Sequence, residues 1–130
     1  MTRAEVGRTV THRRYVPYSH AHYAGNLVDG AYSLAAFGDV ATEMCIVTDG
    51  DEGLFASYSD VQFRAPVRAG DVIEIEARIV RVGSRSREME FEVRVVGRGA
   101  PERGESAADV LDPPVLATTA RGVVVVPPAG

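Results

Sequence analysis

The sequence of 130 residues contains no lysine and no tryptophan, a single cysteine and no long hydrophobic run. Because Cys45 is alone, an intrachain disulfide is excluded, and a reducing, cytoplasmic setting is the simplest expectation. The apolar stretches are too short to span a bilayer. Met1–Arg14 is arginine-rich and lacks the apolar core of a signal peptide. We therefore expect a cytoplasmic protein with no membrane partner.

The 14 strongly basic residues are all arginine. We attribute this mainly to codon usage and in small part to phosphate binding. The net charge is −4 and the isoelectric point is about 5.3. That balance argues against a nucleic-acid backbone or an anionic membrane as partner. The length favours one domain over residues 1–130, and no internal repeat is evident.

The segment Ser19–Glu43 combines histidines and carboxylates with the pattern of an apolar helix. We predict one long helix from Leu27 to about Ile46, with Asn26 as its N-cap and Asp29 in its first turn. Its apolar residues spread around nearly all sides of the helix. This pattern predicts a central helix that other elements wrap.

Five strands are predicted from alternating apolar and polar residues. They cover Arg8–Val16, Leu54–Phe63, Val72–Val82, Arg87–Val96 and Leu116–Val126. Residues 97–114 are rich in Gly, Pro and charge and have no periodicity, so we predict a long mobile hairpin loop there. A strand, a long helix and then a run of antiparallel strands indicate an α+β fold, with the sheet curled around the helix.

Tyr58–Val82 reads YSDVQFRAPVRAGDVIEIEARIVRV and is followed by GSRS. This resembles the hotdog-fold signature V-x-F-x-x-P-V-x-x-G-D … V-G-x-x-S. The resemblance implies an antiparallel sheet wrapped around one central helix, acting on acyl-CoA thioesters. It also implies that Pro66 and Gly70-Asp71 form a turn between long strands, and that the turn at Gly83–Arg87 faces the CoA phosphates.

A narrower resemblance lies in AHYAGNLVDGA, FGDVATE and DGDEGLF, which are similar to coenzyme A ammonia-lyases of the 3-aminobutyryl-CoA and β-alanyl-CoA type. The common thioesterase helix instead carries His-Gly-Gly or Phe-Gly-Gly with an acid two turns later. Here only Gly30 stands in place of the glycine pair, and Asp39 lies farther along. The resemblance implies reversible loss of ammonia from a β-amino acyl-CoA to give a 2-enoyl-CoA.

Alternatives to this reaction are an acyl-CoA thioesterase and a non-catalytic acyl-CoA-binding subunit. In each case the partner is an acyl-CoA and no separate cofactor is expected, since coenzyme A is part of the substrate. The resemblance also implies a homodimer, or an assembly of dimers, formed by edge strands with the active site between subunits. Pairing would cover a sheet edge that a single chain leaves open.

Asp39 and Glu43 are four residues apart and share one helix face. On a mostly buried helix they would repel, which would raise the pKa of at least one toward neutrality, as acid–base catalysis requires. We expect one to be the general base and the other, or Asp29, to bind the amine. The alternative is that they lie on the solvent face or pair with arginines such as Arg64.

The start of the helix, around Asn26 to Gly30, is predicted to stabilise the thioester oxygen through free backbone N–H groups. His22 or His20 could donate to that oxygen or shuttle a proton, and Tyr23 could lie over the substrate. Alternatively, these are loop side chains without a chemical role. A metal site built on His20, His22 and an acid has weak support from the spacing, and we expect none.

Coenzyme A phosphates are expected to bind the turn after the third strand, because guanidinium and hydroxyl donors match phosphate oxygens. The candidate residues are Ser84, Arg85, Ser86 and Arg87. Arg68 and Arg121 are second choices. For any single arginine, a solvated basic surface is the alternative.

Overall fold

The computed structural model describes residues 3–128. Within this range the chain forms β1 (Thr9–Tyr15), α1 (Gly30–Asp49), β2 (Leu54–Phe63), β3 (Val72–Val82), β4 (Ser86–Gly99) and β5 (Ala108–Val125). Two short 3-10 turns, Tyr18–His20 and Ala24–Asn26, lie between β1 and α1. The strands form one antiparallel sheet in the order β1-β3-β4-β5-β2. The predicted α+β architecture is confirmed.

The core lies between one face of α1 and the inward side chains of β3, β4 and β5. Every second side chain is buried from Ile73 to Ile79 of β3 and from Arg87 to Val95 of β4. Phe37 of α1 stacks on Phe91 of β4 with ring centroids 5.0 Å apart. The opposite face of α1 is exposed and includes Asp39, Glu43 and Ile46. The sheet therefore packs on one side of the predicted central helix, and the other side is left uncovered in the single chain.

Helix α1 begins three residues later than predicted, and its N-cap is Asp29 rather than Asn26. Asn26 has a φ of 61°, and Leu27 bridges to Tyr23 and to Arg68. The N–H of Val28 donates to the carbonyl of Val67 at 3.0 Å. These contacts hold the backbone extended up to Asp29, although its apolar residues continue the helical pattern.

Residues 97–114 are mostly strand, so the prediction of a loop over that whole range is wrong. β4 continues to Gly99 and β5 begins at Ala108, with Gly97 paired to Val110. The connecting loop is confined to residues 100–107. The exposed outer ends of these strands need no apolar alternation, which explains why the pattern did not reveal them.

The far end of α1 is fixed to the sheet. Gly50, with a φ of 66°, caps the helix by donating its N–H to the carbonyl of Ile46. The carboxylate of Asp49 accepts two hydrogen bonds from the Arg87 guanidinium, at 2.6 and 3.1 Å.

No helix in the described part of the chain combines the length and apolar character that crossing a membrane requires.

Candidate functional site

A cavity of about 370 Å³ lies at the start of α1. We name it the helix-start cavity. Its polar lining comes from α1, the segment before it, the segment after β2, and β5: Tyr23, Asp29, Ser33, Arg64 and Thr118. Phe63 and Pro66 contribute apolar walls. The first N–H groups of an α-helix have no acceptor within the helix, so this cavity faces free donors and the positive end of the helix dipole.

Asp29 is fixed by its role as N-cap. Its Oδ1 accepts a hydrogen bond from the N–H of Tyr32 at 3.2 Å, while its Oδ2 lies 3.9 Å from Nδ1 of His22. The side chain of Asp29 is 37% exposed, and that of His22 is 60% exposed. Asp29 supplies the carboxylate in the lining of the helix-start cavity. The structure thus brings one predicted acid to the predicted oxyanion site.

The ring of Phe63 closely approaches Gly30. A Cβ at Gly30 would lie 2.6 Å from Cζ of that ring. The ring of Phe63 therefore covers the first helical residue directly in this structure, and the expectation that Gly30 faces a ligand stays a prediction. Gly30 and Tyr23 both line the cavity.

Ser33 and Thr118 form a buried polar pair in the cavity wall. Their hydroxyl oxygens are 3.1 Å apart, and both residues are almost fully buried. Arg64, on the other side, donates from Nε to the hydroxyl of Thr119 at 3.1 Å. These groups give the cavity hydrogen-bonding capacity beyond Asp29 and the helix start.

The remaining residues predicted near the helix start, His20, His22 and Asn26, do not line this cavity. Nδ1 of His20 is 2.8 Å from the hydroxyl of Tyr32. Asn26 does not line the helix-start cavity and instead lines a separate cavity. Within residues 3–128 the histidines do not join acids or cysteine in a cluster of three that could hold a metal.

Asp39 and Glu43 do not reach the helix-start cavity in this chain. Asp39 accepts from Arg14 at 2.9 Å and Glu43 lies 2.8 Å from Nε2 of His12, both partners on β1. Their side chains are 64% and 51% exposed. The premise that they share a buried face is wrong. The alternative, a solvent face with ion pairs, describes their placement, with Arg14 rather than Arg64 as the arginine.

Tyr58 holds the first half of α1 onto β2. Its hydroxyl donates to the carbonyl of Leu34 at 2.7 Å, and its ring stacks on Phe55. Burial, with a smaller effect of the Asp39 charge, raises the pKa of Tyr58 to about 12. The phenol is therefore neutral at physiological pH and acts as a hydrogen-bond donor.

The predicted phosphate-binding turn lies at the other end of α1. Ser84 and Arg85 are exposed there, and Ser86 is partly buried. Arg87 is buried, and its guanidinium donates to Asp49 and to the carbonyls of Gly83 and Ser86. These bonds make Arg87 a structural residue, which corrects its assignment to the CoA phosphates.

Sequence reasoning missed Ser33, Phe63 and Thr118, and treated Arg64 only as an ion-pair partner. Ser33 could have been found, because it lies one helical turn after Asp29 on the same face. Thr118 could not, because only the pairing of β5 with β4 and β2 carries it to the helix.

Comparisons with known proteins agree with this arrangement. The family model of the thioesterase superfamily matches residues 25–101, more than half of the chain. The chain is 53% identical over 107 residues to the 3-aminobutyryl-CoA ammonia lyase of Acetoanaerobium sticklandii, covering 82% of this chain and 85% of the relative.

Solved structures show the same fold. The β-alanyl-CoA:ammonia lyase from Clostridium propionicum is 38% identical with a TM-score of 0.88, covering 94% of this chain and 87% of that one. A hexameric hotdog-fold thioesterase of Campylobacter jejuni has a TM-score of 0.69 at 23% identity, covering 87% and 78%, and this likeness concerns the fold alone. The sheet curled on one long helix, the cavity at the helix start and the match over residues 25–101 together establish that the chain belongs to the thioesterase superfamily, with the hotdog fold.

Proposed function

We propose that this protein is a lyase that reversibly eliminates ammonia from a β-amino acyl-CoA, such as 3-aminobutyryl-CoA, to give a 2-enoyl-CoA. The observation that carries the proposal is the 53% identity to an ammonia lyase over most of both chains. The structural match at 38% identity is to a second ammonia lyase that acts on a β-amino acyl-CoA. The reaction draws on no separate cofactor, because coenzyme A is part of the substrate.

The helix-start cavity offers the groups that this chemistry needs. Free N–H groups around Gly30 would polarise the thioester oxygen and so acidify the α-carbon proton. Asp29, with Oδ2 not used in capping, would hold the departing ammonium or take the α-proton. Ser33, Arg64 and Thr118 would orient the substrate.

Asp29→Asn tests this assignment with little cost to the fold, because asparagine is an equally good N-cap. We expect turnover to fall at least ~10²-fold, as for loss of an acid–base group, with an unchanged melting temperature. Asp39→Asn and Glu43→Gln are the comparison variants. If turnover falls in those two and not in Asp29→Asn, the carboxylates of the exposed helix face carry the chemistry instead.

One assay separates the lyase from a thioesterase, which the family name favours as second candidate. The protein is incubated with crotonyl-CoA and ammonium, and then with saturated acyl-CoAs and a thiol reagent. The lyase forms an amine adduct without free CoA. Release of thiol without any adduct would reject the lyase in favour of the thioesterase.

We further propose a cytoplasmic homodimer, or an assembly of dimers, formed through β2. This strand is a sheet edge, and Leu54 and Phe63 at its two ends are 72% and 60% exposed. Open edges with apolar ends tend to pair. Sedimentation of the purified protein would show a dimer or larger species, and a monomer at micromolar concentration would contradict this.

A further inference from the structure

A second cavity, of about 610 Å³, lies beside the start of β3. We name it the tyrosine–arginine cavity after Tyr15, Tyr18, Arg68 and Arg98 in its wall. It adjoins the helix-start cavity across one short backbone pairing. In that pairing the N–H of Val28 donates to the carbonyl of Val67 at 3.0 Å. The N–H of Ala69 donates to the carbonyl of Asn26 at 2.8 Å. A flexible ligand could occupy both cavities.

The guanidinium of Arg68 is exposed and has no hydrogen bond or ion pair with any residue in 3–128. The adjacent Asp71 is fully buried and is neutralised by Arg98 through bonds of 2.9 and 2.8 Å. A second carboxylate in the cavity wall, Glu105, lies in the exposed loop and forms no ion pair with any residue in 3–128. Arg68 is therefore available for an anion, and its planar donors suit phosphate oxygens.

Two aromatic rings accompany this arginine. Tyr15 and Tyr18 line the same cavity and are 53% and 63% exposed, so their rings are accessible to a ligand there. Gly70, with a φ of 92°, lets Tyr18 lie against the turn before β3, since a Cβ there would be 2.9 Å from the phenol oxygen. Exposed tyrosine faces beside a free guanidinium suit a nucleotide, whose base stacks while its phosphates bind the cation.

The turn at Ser84–Ser86 is poorly placed for the same role within one chain. It follows the end of β3, whereas the helix-start cavity lies near the beginning of that strand. Eleven extended residues span about 36 Å. The turn could approach the helix-start cavity only from a second copy of the chain.

We propose that the tyrosine–arginine cavity binds the nucleotide end of the CoA thioester of the same chain. The adenine lies on Tyr15 and Tyr18, phosphates bind Arg68, and the thioester extends into the helix-start cavity. This inference rests on the proposed action on an acyl-CoA.

Calorimetric titration of the full-length protein with CoA and with adenosine 3′,5′-bisphosphate tests it. Arg68→Gln should weaken binding of both at least about tenfold, since a charge-assisted hydrogen bond is lost, without lowering the melting temperature. Tyr18→Ala should weaken binding in the same way, and Glu105→Gln should bind no more weakly than the original chain. Arg81→Gln, an exposed arginine at the far end of β3, is the matched control and should bind normally.

Kinetics supply the second readout. Arg68→Gln should raise KM for the CoA ester and leave KM unchanged for the N-acetylcysteamine thioester, which lacks the nucleotide. Normal CoA binding by Arg68→Gln overturns the inference, as does loss of binding in Arg85→Gln alone, which would place the nucleotide on a partner's turn. Loss of binding in Arg68→Gln without any amine turnover by the original protein would reject the proposed function and leave the nucleotide site standing.

Discussion

The bond between Arg87 and Asp49 gives a prediction that separates a structural arginine from a phosphate-binding one. Replacing Arg87 with methionine keeps much of the side-chain volume but removes every donor. Four hydrogen bonds disappear: two to the Asp49 carboxylate, and one each, at 2.9 Å, to the carbonyls of Gly83 and Ser86. Asp49 then remains as a largely buried anion without its cation.

The magnitude follows from this burial. The two side chains are only 9% and 16% exposed, and loss of one partner of a buried pair costs 3–5 kcal/mol in general. Because some solvent reaches the pair, we expect a loss of about 3 kcal/mol in the free energy of unfolding. For a chain of this size that lowers the melting temperature by about 10 °C.

Arg121→Met is the matched control. Arg121 donates to Glu90 at 2.7 Å, but its side chain is 47% exposed. We expect its loss to cost less than ~1 kcal/mol, as for other surface pairs. Calorimetric melting of both variants, with Asp49→Asn and the double variant to complete a thermodynamic cycle, measures the coupling of the buried pair.

Two results would refute this reasoning. One is a melting temperature of Arg87→Met as high as that of Arg121→Met. The other is a normal melting temperature together with a raised KM for the CoA ester only. The second result would return Arg87 to the phosphate site.

Three further predictions use the same structure. Gly30→Ala should lower turnover without loss of stability, because Phe63 is exposed and its ring can swing into the cavity. Gly122→Ala should lower the melting temperature, because its Cβ would meet the partly buried Phe55 ring at 2.5 Å and the buried Phe91 ring at 2.9 Å. Equal effects of the two substitutions on stability would contradict this. Burial, with nearby carboxylates, raises the pKa of Cys45 to about 11, so iodoacetamide should label it at pH 8 only after unfolding; rapid labelling of the folded protein would show an open core. The hydrogen bond from Arg87 lowers the pKa of Asp49. The stability that this carboxylate contributes is therefore present above its unfolded pKa of about 3.9 and is lost as the pH falls through the lower folded value. Denaturation between pH 2 and 7 should show that the difference in unfolding free energy between the original chain and Asp49→Asn shrinks below about pH 4, and a constant difference would be evidence against the pair.

The sequence predicted β2 and β3 to the residue, because β3 has one buried face and turn residues come directly before both strands. It misplaced the start of α1, because Leu27 and Val28 fit the apolar pattern of the helix. In the structure these two residues are extended and pair with Arg68 and Val67 instead. Local patterns do not contain that long-range pairing.

The same limit applies to the candidate site. Gly30, Asp29 and Tyr23 were found because they are neighbours at one helix end. Asp39 and Glu43 were grouped correctly on one face, but which face is buried depends on where the sheet lies. Thr118 lies 85 residues from Ser33 along the chain, and no spacing rule connects them.

The choice between elimination and hydrolysis depends on what Asp29 faces. Both reactions need the thioester oxygen to be polarised, and the free N–H groups of the helix start serve either one. Hydrolysis also needs a base that activates water, whereas elimination needs a base that takes the α-proton and a group that holds the departing amine. Asp29 is anchored through Oδ1 to the N–H of Tyr32, and the helix dipole favours a negative charge at this position. Because Oδ1 accepts the capping bond, Oδ2 is left to contact a cation, so in the proposed elimination Asp29 would hold the amine.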